Sequence, residues 1–305
     1  MSRLYLITGF LGAGKTTFLK QFIRTFQDCR MHIIVNEFGR EGIDGDLVRE
    51  LGIALDEINN GSIFCSCRLD KFEEVLEKAL DQAPDVILVE ASGLSDPTNV
   101  KKILRQREKF TEIEYMGCIC LVDARQFLKV YETASVVKKQ LKVSDLLLLN
   151  KVDLVPEEQI EEVCKVLHQL RPDLTVHETA YGQIQDDWLE NMNSQETDCG
   201  EELFQTADVT LRKYLLQIRE EVKLEELRGF LKMIMDETFR IKGFVCTEGK
   251  QYLVNTVGNM LEISEYEKEP HTTNMLVALS GSGMSVKRAV KTAMEWYPEV
   301  VAEFH

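Results

Sequence analysis

Residues 1–190 alternate between short apolar runs and amphipathic segments. The apolar runs predict β-strands over residues 4–8, 32–36, 86–90, 118–123, 145–150 and 174–177. The segments between them repeat their apolar residues at a helical period, which predicts helices over residues 16–25, 69–82, 135–141 and 157–169. Strands and helices in this alternation are typical of βαβ units. We therefore expect an α/β fold with a doubly wound, mostly parallel sheet.

The pattern changes after residue 190. Residues 191–205 are polar and nearly without an apolar period, which predicts a linker. Beyond it, helical segments over residues 224–238 and 285–296 accompany strand-like runs over residues 240–247, 251–257 and 275–280. This arrangement is typical of a small antiparallel α+β unit. The chain of 305 residues should thus form two domains, over residues 1–190 and 206–305.

Composition narrows the range of partners and locations. The 36 Lys and Arg residues against 51 Asp and Glu residues give a formal net charge of −15, which repels phosphate backbones and anionic lipid. Apolar runs such as residues 146–149 are far shorter than the roughly 20 residues of a membrane-spanning helix. We therefore expect a cytoplasmic protein that binds neither nucleic acid nor membranes. Its eight cysteines should stay reduced there, so a disulfide framework is not expected.

The first predicted strand runs into a glycine-rich turn and a helix, with the sequence GFLGAGKTT from residue 9. This is the pattern GxxxxGK[ST] of a phosphate-binding loop, in which glycines let backbone N–H groups approach phosphate closely. Lys15 should reach the β- and γ-phosphates, and the Thr16 hydroxyl can ligate Mg²⁺. A chance match is disfavoured because strand and helix stand in the required order. The predicted phosphate-binding residues are Gly9, Gly12, Ala13, Gly14, Lys15, Thr16 and Thr17.

A second motif predicts which base the nucleotide carries. Asn150, Lys151 and Asp153 form the sequence NKVD at the end of the strand over residues 145–150. Asp153 can accept hydrogen bonds from N1–H and N2–H₂ of guanine, whereas adenine offers no such pair of donors. Asn150 would hold the loop, and the stem of Lys151 would cover one face of the base. The motif favours GTP and GDP over ATP, and so disfavours the alternative of an ATP-using P-loop kinase.

Two further loops are candidates for sensing the γ-phosphate. Glu90 ends a hydrophobic strand and Gly93 follows three residues later, so Glu90 would lie near Mg²⁺ and the Gly93 N–H would meet the phosphate. Glu37 lies in the loop over residues 36–46, whose carboxylates suit Mg²⁺ or a transition metal. The plain alternatives are a turn glycine and a solvated acidic loop. The predicted catalytic residues are Lys15, Thr16, Glu37, Glu90 and Gly93, with Glu37 the candidate for orienting the attacking water.

These motifs resemble those of the CobW family of P-loop GTPases, named for cobalamin synthesis. The resemblance rests on GFLGAGKTT, VNEFGREGID, EASGL and NKVD in the first domain, and on RIKGFV and EPHT in the second. It implies a GTPase domain that binds and hydrolyses GTP with Mg²⁺, and a CobW-type C-terminal domain that meets a client protein. By the same resemblance, the protein would deliver metal ions or activate a metal- or corrinoid-dependent enzyme. A homodimer is compatible with this picture.

The segment GSIFCSCR, residues 61–68, departs from that family. Aligned on the preceding Asn-Gly, the three cysteines of the family's Cys-x-Cys-Cys motif fall on Ser62, Phe64 and Cys65. Cys67 restores a pair, and in an extended segment both thiols would project to the same side. Two thiolates are too few for a closed Zn²⁺ site, so Zn²⁺ or Co²⁺ would need Glu37, a histidine, water or a second subunit. The candidate metal ligands are Thr16, Glu37, Glu90, Cys65 and Cys67.

Two interpretations of these thiols stay open: they bind a metal ion, or they simply pack beside the loop over residues 36–46. Two functions stay open with them. One is a GTP-gated metallochaperone, and the other is a GTPase that acts as a chaperone for its client and carries no metal itself.

Overall fold

The structure is a computed structural model that describes residues 1–35, 53–57, 69–104, 110–190, 192, 212–257, 260–266, 274–281 and 283–305. The chain forms two compact units, Met1–Tyr131 with Ser135–Ala207 and Glu132–Ala134 with Asp208–His305. Several predicted features lie outside the described residues. They are the loop over residues 36–46 with Glu37, the thiols Cys65 and Cys67, and the linker over residues 191–205 apart from residue 192.

The first unit is built on a parallel sheet of seven strands in the order β3-β2-β4-β1-β5-β6-β7. The strands are β1 (Ser2–Gly9), β2 (Met31–Val35), β3 (Ala54–Glu57), β4 (Val86–Glu90), β5 (Ile113–Asp123), β6 (Leu146–Asn150) and β7 (Val176–Thr179). The helices between and after them are α1 (Lys15–Thr25), α2 (Leu69–Leu80), α3 (Thr98–Leu104), α4 (Phe127–Thr133), α5 (Ser135–Val143), α6 (Glu157–Leu170) and α7 (Asp186–Glu190). The doubly wound parallel sheet predicted from the sequence is confirmed.

Both faces of this sheet are buried. Phe18 and Phe22 of α1 pack with Tyr5 of β1 in a core on one face. Phe72 and Leu76 of α2 pack in a second core on the other face, with alternate residues of β1. Strands covered on both faces need apolar residues at every position, which is why they show continuous apolar runs in the sequence. Their carboxyl ends meet at one edge, where an open α/β sheet binds its ligands.

The second unit is an antiparallel sheet in the order β11-β10-β9-β12-β8-β13. Its strands are β8 (Arg212–Ile218), β9 (Arg240–Thr247), β10 (Lys250–Val257), β11 (Met260–Glu265), β12 (Met275–Ser280) and β13 (Val301–Phe304). Helices α8 (Leu224–Ile234) and α9 (Val286–Trp296) share a core with the sheet. Burial alternates along β8 and β12, as expected for strands with one face against a core. Among the described helices of both units, none is long and apolar enough to cross a membrane.

Several elements differ from the pattern-based prediction. The apolar pattern did not predict β3, β8, β11 and β13, nor the helices α3, α4 and α7. Strands β3 and β13 have 4 residues each, too few to show a period. Strand β11 lies at an edge of its sheet, where only Leu261 and Ile263 pack towards the core. Strand β7 begins at Val176 and not at residue 174, because the Leu174 N–H bonds the carbonyl of Arg171 in a turn.

Candidate functional site

The turn between β1 and α1 forms a loop around the ammonium group of Lys15. Its Nζ donates to the carbonyl oxygens of Gly9 at 2.9 Å and Phe10 at 3.2 Å, and the residue is only 9% exposed. Gly14, directly before α1, has a φ of 97°. A Cβ at this position would lie 2.4 Å from Nδ2 of Asn150, so only glycine fits. The loop thus presents a lysine and the N-terminal N–H groups of α1 together, an arrangement suited to phosphate.

The NKVD segment is tied to this loop by two side chains. Asn150 is 2% exposed, and its Nδ2 donates to the carbonyl of Ala13 at 2.9 Å. Lys151 has a φ of 66°, and its Nζ donates to the carbonyl of Gly12 at 2.6 Å. The same ammonium pairs with Oδ2 of Asp123 at 2.7 Å. The structure therefore joins the predicted base-binding segment to the predicted phosphate-binding loop.

Two of the residues predicted to bind the nucleotide are exposed to solvent. Asp153 is in a single 3₁₀ turn, Val152–Leu154, that follows β6. Thr17 lies on the exposed side of the first turn of α1. Both side chains are accessible to a ligand at this edge of the sheet.

The predicted sensor residues reach the same loop from β4. The Thr16 hydroxyl donates to Oε1 of Glu90 at 3.3 Å, although 74 residues separate them in sequence. Glu90 ends β4 and is 2% exposed. Gly93 approaches the loop closely, since a Cβ there would lie 2.7 Å from the backbone nitrogen of Leu11. The structure thus brings together Thr16, Glu90 and Gly93, which the sequence placed in two separate motifs.

Two features of this edge were missed by the sequence analysis. One is Asp123, the partner of Lys151 at the end of β5. The other is the turn after β7, where the Gly182 N–H donates to Oδ1 of Asn150 at 3.0 Å and the Thr179 hydroxyl donates to the carbonyl of Gln183 at 2.7 Å. Their position in the sequence could have indicated both features, because they lie at the carboxyl ends of two parallel strands, where such sheets bind ligands.

The candidate metal ligands are only partly covered by the described residues. Thr16 and Glu90 are in contact, whereas Glu37, Cys65 and Cys67 fall in ranges that the structure does not describe. Within the described ranges, no group of three or more His, Cys, Asp or Glu side chains is placed to hold a metal ion.

Family comparisons match both units. Residues 3–178 match the model for the CobW/HypB/UreG nucleotide-binding domain, which is more than half of the chain. Residues 211–294 match the model for the C-terminal domain of the cobalamin synthesis protein cobW. The order of the two matches along the chain is that of the two compact units.

Curated relatives include two zinc chaperones of Escherichia coli strain K12. YjiA is 29% identical over 195 residues, covering 62% of this chain and 60% of YjiA. YeiR is 30% identical over 187 residues, covering 60% of this chain and 57% of YeiR. The zinc-regulated GTPase metalloprotein activator 1 of Dictyostelium discoideum is 25% identical, over 55% of this chain and 43% of that protein. The chain thus spans about half the length of the curated relatives it matches.

Among solved structures, the crystal structure of Zn(II)-bound YjiA GTPase from E. coli covers 97% of this chain. The alignment covers 98% of that structure, with 20% identity and a TM-score of 0.49.

Proposed function

The chain belongs to the CobW/HypB/UreG family, and on that basis we propose that it binds GTP and hydrolyses it to GDP. The observation that carries the proposal is the joining of three motifs at one edge of the sheet. Asn150 donates to the carbonyl of Ala13, and the Thr16 hydroxyl donates to Glu90. The residues that we propose for base recognition, phosphate binding and γ-phosphate sensing are therefore in direct contact.

Lys15 supplies the charge for phosphate binding. Its ammonium donates to two neutral carbonyls of its own loop, and an anionic phosphate oxygen is a stronger partner than a neutral carbonyl. Nucleotide binding would therefore redirect Lys15 from Gly9 and Phe10 to the β- and γ-phosphates. Hydrolysis would then depend on positioning and charge neutralisation, without a covalent intermediate. We retain Glu37 as the candidate for orienting the attacking water.

The contact between Thr16 and Glu90 supports Mg²⁺ as the cofactor. A hydroxyl and a carboxylate 3.3 Å apart are hard oxygen donors of the kind that Mg²⁺ prefers. Thr16 would hold the ion directly and Glu90 through water. The ion would supply positive charge to neutralise the phosphates of the nucleotide.

Guanine is the base that we propose, with Asp153 as its reader. The ammonium of Lys151 is held by Gly12 and Asp123, at 2.6 and 2.7 Å, so the orientation of its apolar stem is set before the base arrives. A fixed stem is suited to covering one face of the base. Asp153 lies two residues after Lys151 and is exposed, so its carboxylate can accept hydrogen bonds from the two guanine donors.

Nucleotide binding and hydrolysis with Mg²⁺ test this proposal. Lys15→Ala should weaken binding of GTP and GDP by about 100- to 1000-fold, because it removes the charge-assisted contact to phosphate. Lys20→Ala, on the same helix, is the matched control and should bind both as the unchanged protein does. Unchanged affinity in Lys15→Ala would refute the assignment. Competition by ADP as strong as that by GDP would instead favour the P-loop kinase.

We further propose that residues 1–190 act as the GTPase domain and residues 206–305 as the domain that meets a client protein. The division of the compact units between residues 207 and 208 supports this, as do the family matches over residues 3–178 and 211–294. A metalloenzyme or a corrinoid protein is the client class that we propose.

Nucleotide-gated metal delivery is the cellular role that we propose, with Zn²⁺ as the cargo. The relatives named above as zinc chaperones support this role. Cys65 and Cys67, with Glu37 as a third ligand, are the candidate metal-binding residues of this chain. The competing role is that of a GTPase chaperone that contacts its client and carries no metal.

A metal titration separates the two roles. Zn²⁺ and Co²⁺ would be titrated into the reduced protein with GDP and with a non-hydrolysable GTP analogue. Metallochaperone activity requires binding that differs between the two nucleotides and is lost in Cys65→Ser and in Cys67→Ser. Cys246→Ser, in the second unit, is the matched control. Weak binding that is indifferent to nucleotide and to both thiols would support the chaperone without metal.

A further inference from the structure

The segment after β4, which carries Gly93, is held in place by α5. Gln140 of α5 donates through Nε2 to the carbonyl of Gly93 at 3.2 Å and to that of Ser95 at 3.3 Å. The neighbouring Lys139 pairs with Asp96 at 3.0 Å. Helix α5 therefore contacts the segment at three of its residues.

Gln140 has a buried side chain, and both hydrogens of its amide nitrogen are used in hydrogen bonds. The residue is 1% exposed, and its NH₂ group has two hydrogens, one for each of the two carbonyls. A buried carbonyl that loses its donor costs about 1–3 kcal/mol in other proteins, so the two bonds strongly favour this placement of Gly93 and Ser95. Neither the phosphate-binding motif nor the NKVD motif includes this glutamine.

Gly93 is a residue whose position depends on such external contacts. Glycine has the greatest backbone freedom of all residues, so it loses the most entropy when it is ordered. Only a glycine fits here, because a Cβ would lie 2.7 Å from the nitrogen of Leu11. The carbonyl and the N–H of Gly93 belong to adjacent peptide planes, so the bond to the carbonyl narrows the backbone conformations of Gly93 and with them the positions that its N–H can take.

We propose that Gln140 is a positioning residue that holds Gly93 ready for the γ-phosphate and thereby sets the preference for GTP over GDP. The inference rests on the proposed function, in which the Gly93 N–H meets the γ-phosphate. GDP has no γ-phosphate, so its binding does not use that N–H. Loss of Gln140 therefore weakens GTP binding selectively, because Gly93 must then be ordered when GTP binds.

Two substitutions test this role. Gln140→Leu removes both donors, and Gln140→Glu leaves at most one donor, the O–H of a protonated carboxyl, at nearly constant size. Affinities for a non-hydrolysable GTP analogue and for GDP would be measured with Mg²⁺, together with kcat and KM for GTP. Each variant should bind the GTP analogue about tenfold more weakly, the loss expected for one or two ordinary hydrogen bonds, with GDP affinity within about twofold. The kcat should fall as well, since Gly93 would be misplaced in the transition state.

Gln159→Leu is the matched control. Gln159 also donates through Nε2 to two backbone carbonyls, those of Ala124 at 2.9 Å and Arg125 at 3.4 Å. These follow Asp123, on the base side of the site, and GTP and GDP carry the same base. Gln159→Leu should therefore leave the ratio of the two affinities unchanged even where it lowers the melting temperature.

The outcomes distinguish this inference from the proposed function. A folded Gln140→Glu variant with an unchanged affinity ratio would overturn the role of Gln140, while GTP hydrolysis by the unchanged protein would leave the proposed function standing. If Gln159→Leu changed the ratio of GTP-analogue to GDP affinity as much as the Gln140 variants do, the role of Gln140 would also be overturned. The change would then be common to any lost glutamine bond near the site. Absence of GTP binding by the unchanged protein would refute the proposed function itself. If Gln140→Leu does not fold, the nearly isosteric Gln140→Glu decides.

Discussion

The two edges of the parallel sheet both bury charge, and they do so in different ways. At the amino edge, Lys101 of α3 pairs with the carboxylate of Asp145 at 2.8 Å and donates to the carbonyl of Val143. The other oxygen of Asp145 accepts the Cys118 N–H at 2.8 Å. At the carboxyl edge, Lys15 donates to carbonyl oxygens of its own loop. The carboxyl edge has an ion pair as well, between Lys151 and Asp123. Lys15 differs because the carbonyls that it contacts belong to the phosphate-binding loop, where a phosphate oxygen would be a stronger partner than a carbonyl.

A buried arginine lies at the amino edge as well, and it pairs with Asp173 at 2.7 Å. Arg171, 7% exposed, donates to the carbonyls of Leu141 at 2.7 Å and Ser144 at 2.8 Å, near the end of α5. The Leu141 carbonyl also accepts the Ser144 hydroxyl at 2.6 Å, so Arg171 adds its positive charge to a helix end where that carbonyl already has a partner. The comparison teaches that burial of a charge does not by itself indicate a functional site. What distinguishes the carboxyl edge is its glycine-rich loop, in which the Lys15 ammonium lies beside the N-terminal N–H groups of α1.

The largest effect that we expect is a loss of stability at the amino edge. Lys101→Met should lower the free energy of unfolding by about 3–5 kcal/mol, because Asp145 would remain buried without its counter-charge. Denaturant unfolding would measure the loss. In the folded fraction, the affinity for GDP should change far less than in Lys15→Ala.

A double variant separates the cost of the unpaired charge from the cost of lost packing. Lys101→Met combined with Asp145→Asn removes both charges and keeps an acceptor for the Cys118 N–H. This double variant should recover a large part of the lost stability. A loss below about 1 kcal/mol in the single variant would contradict the interpretation of a closed buried pair.

A smaller effect is expected at the carboxyl edge, on the preference for the base of the nucleotide. Asp153→Asn presents one acceptor and one donor, which match N1–H and the C2 carbonyl of xanthine. The two donors of guanine would no longer both be paired. Affinity for GDP should fall by about 100-fold and affinity for xanthosine diphosphate should rise, as measured by competition. Glu157→Gln, an exposed carboxylate on α6, is the control, and an unchanged preference in Asp153→Asn would remove Asp153 from the site.

The smallest effect concerns two thiols of β5, which lies between these edges. Burial raises the pKa of the Cys120 thiol from its ordinary 9.0 to about 12, and that of Cys118 well above 9.0. Both stay protonated in the native protein while the unfolded chain ionises near pH 9. Their contribution to stability is therefore present below pH 9 and is lost above it, by at most about 1.4 kcal/mol per pH unit for each thiol.

Alkylation checks this expectation directly. At pH 9, native protein treated with iodoacetamide should react at partly exposed cysteines such as Cys29, Cys164 and Cys246. Cys118 and Cys120 should react only after unfolding, as peptide mass spectrometry would show. Rapid labelling of Cys120 in the folded protein would show that the interior of β5 is accessible.

Local patterns predicted much of the first unit. The runs that became β1, β4 and β6 are buried along their whole length, so their apolar character is continuous and easy to recognise. Edge strands such as β11 carry only a partial apolar signal, and the antiparallel unit was accordingly predicted less completely. In the candidate site, the residues of the phosphate-binding loop, the NKVD segment and Gly93 could be proposed from the sequence because each lies in a short motif with a local geometry.

The alternation of strands and helices, the glycine turn before α1 and the residue types of each motif follow from the amino-acid sequence alone, because they depend on neighbours in sequence. Which motifs touch is set by the three-dimensional fold. Asn150 bonds Ala13 across 137 residues, Thr16 bonds Glu90 across 74, and Gln140 bonds Gly93 across 47. Such contacts depend on the order of strands in the sheet, and hydrophobic periodicity carries no information about that order.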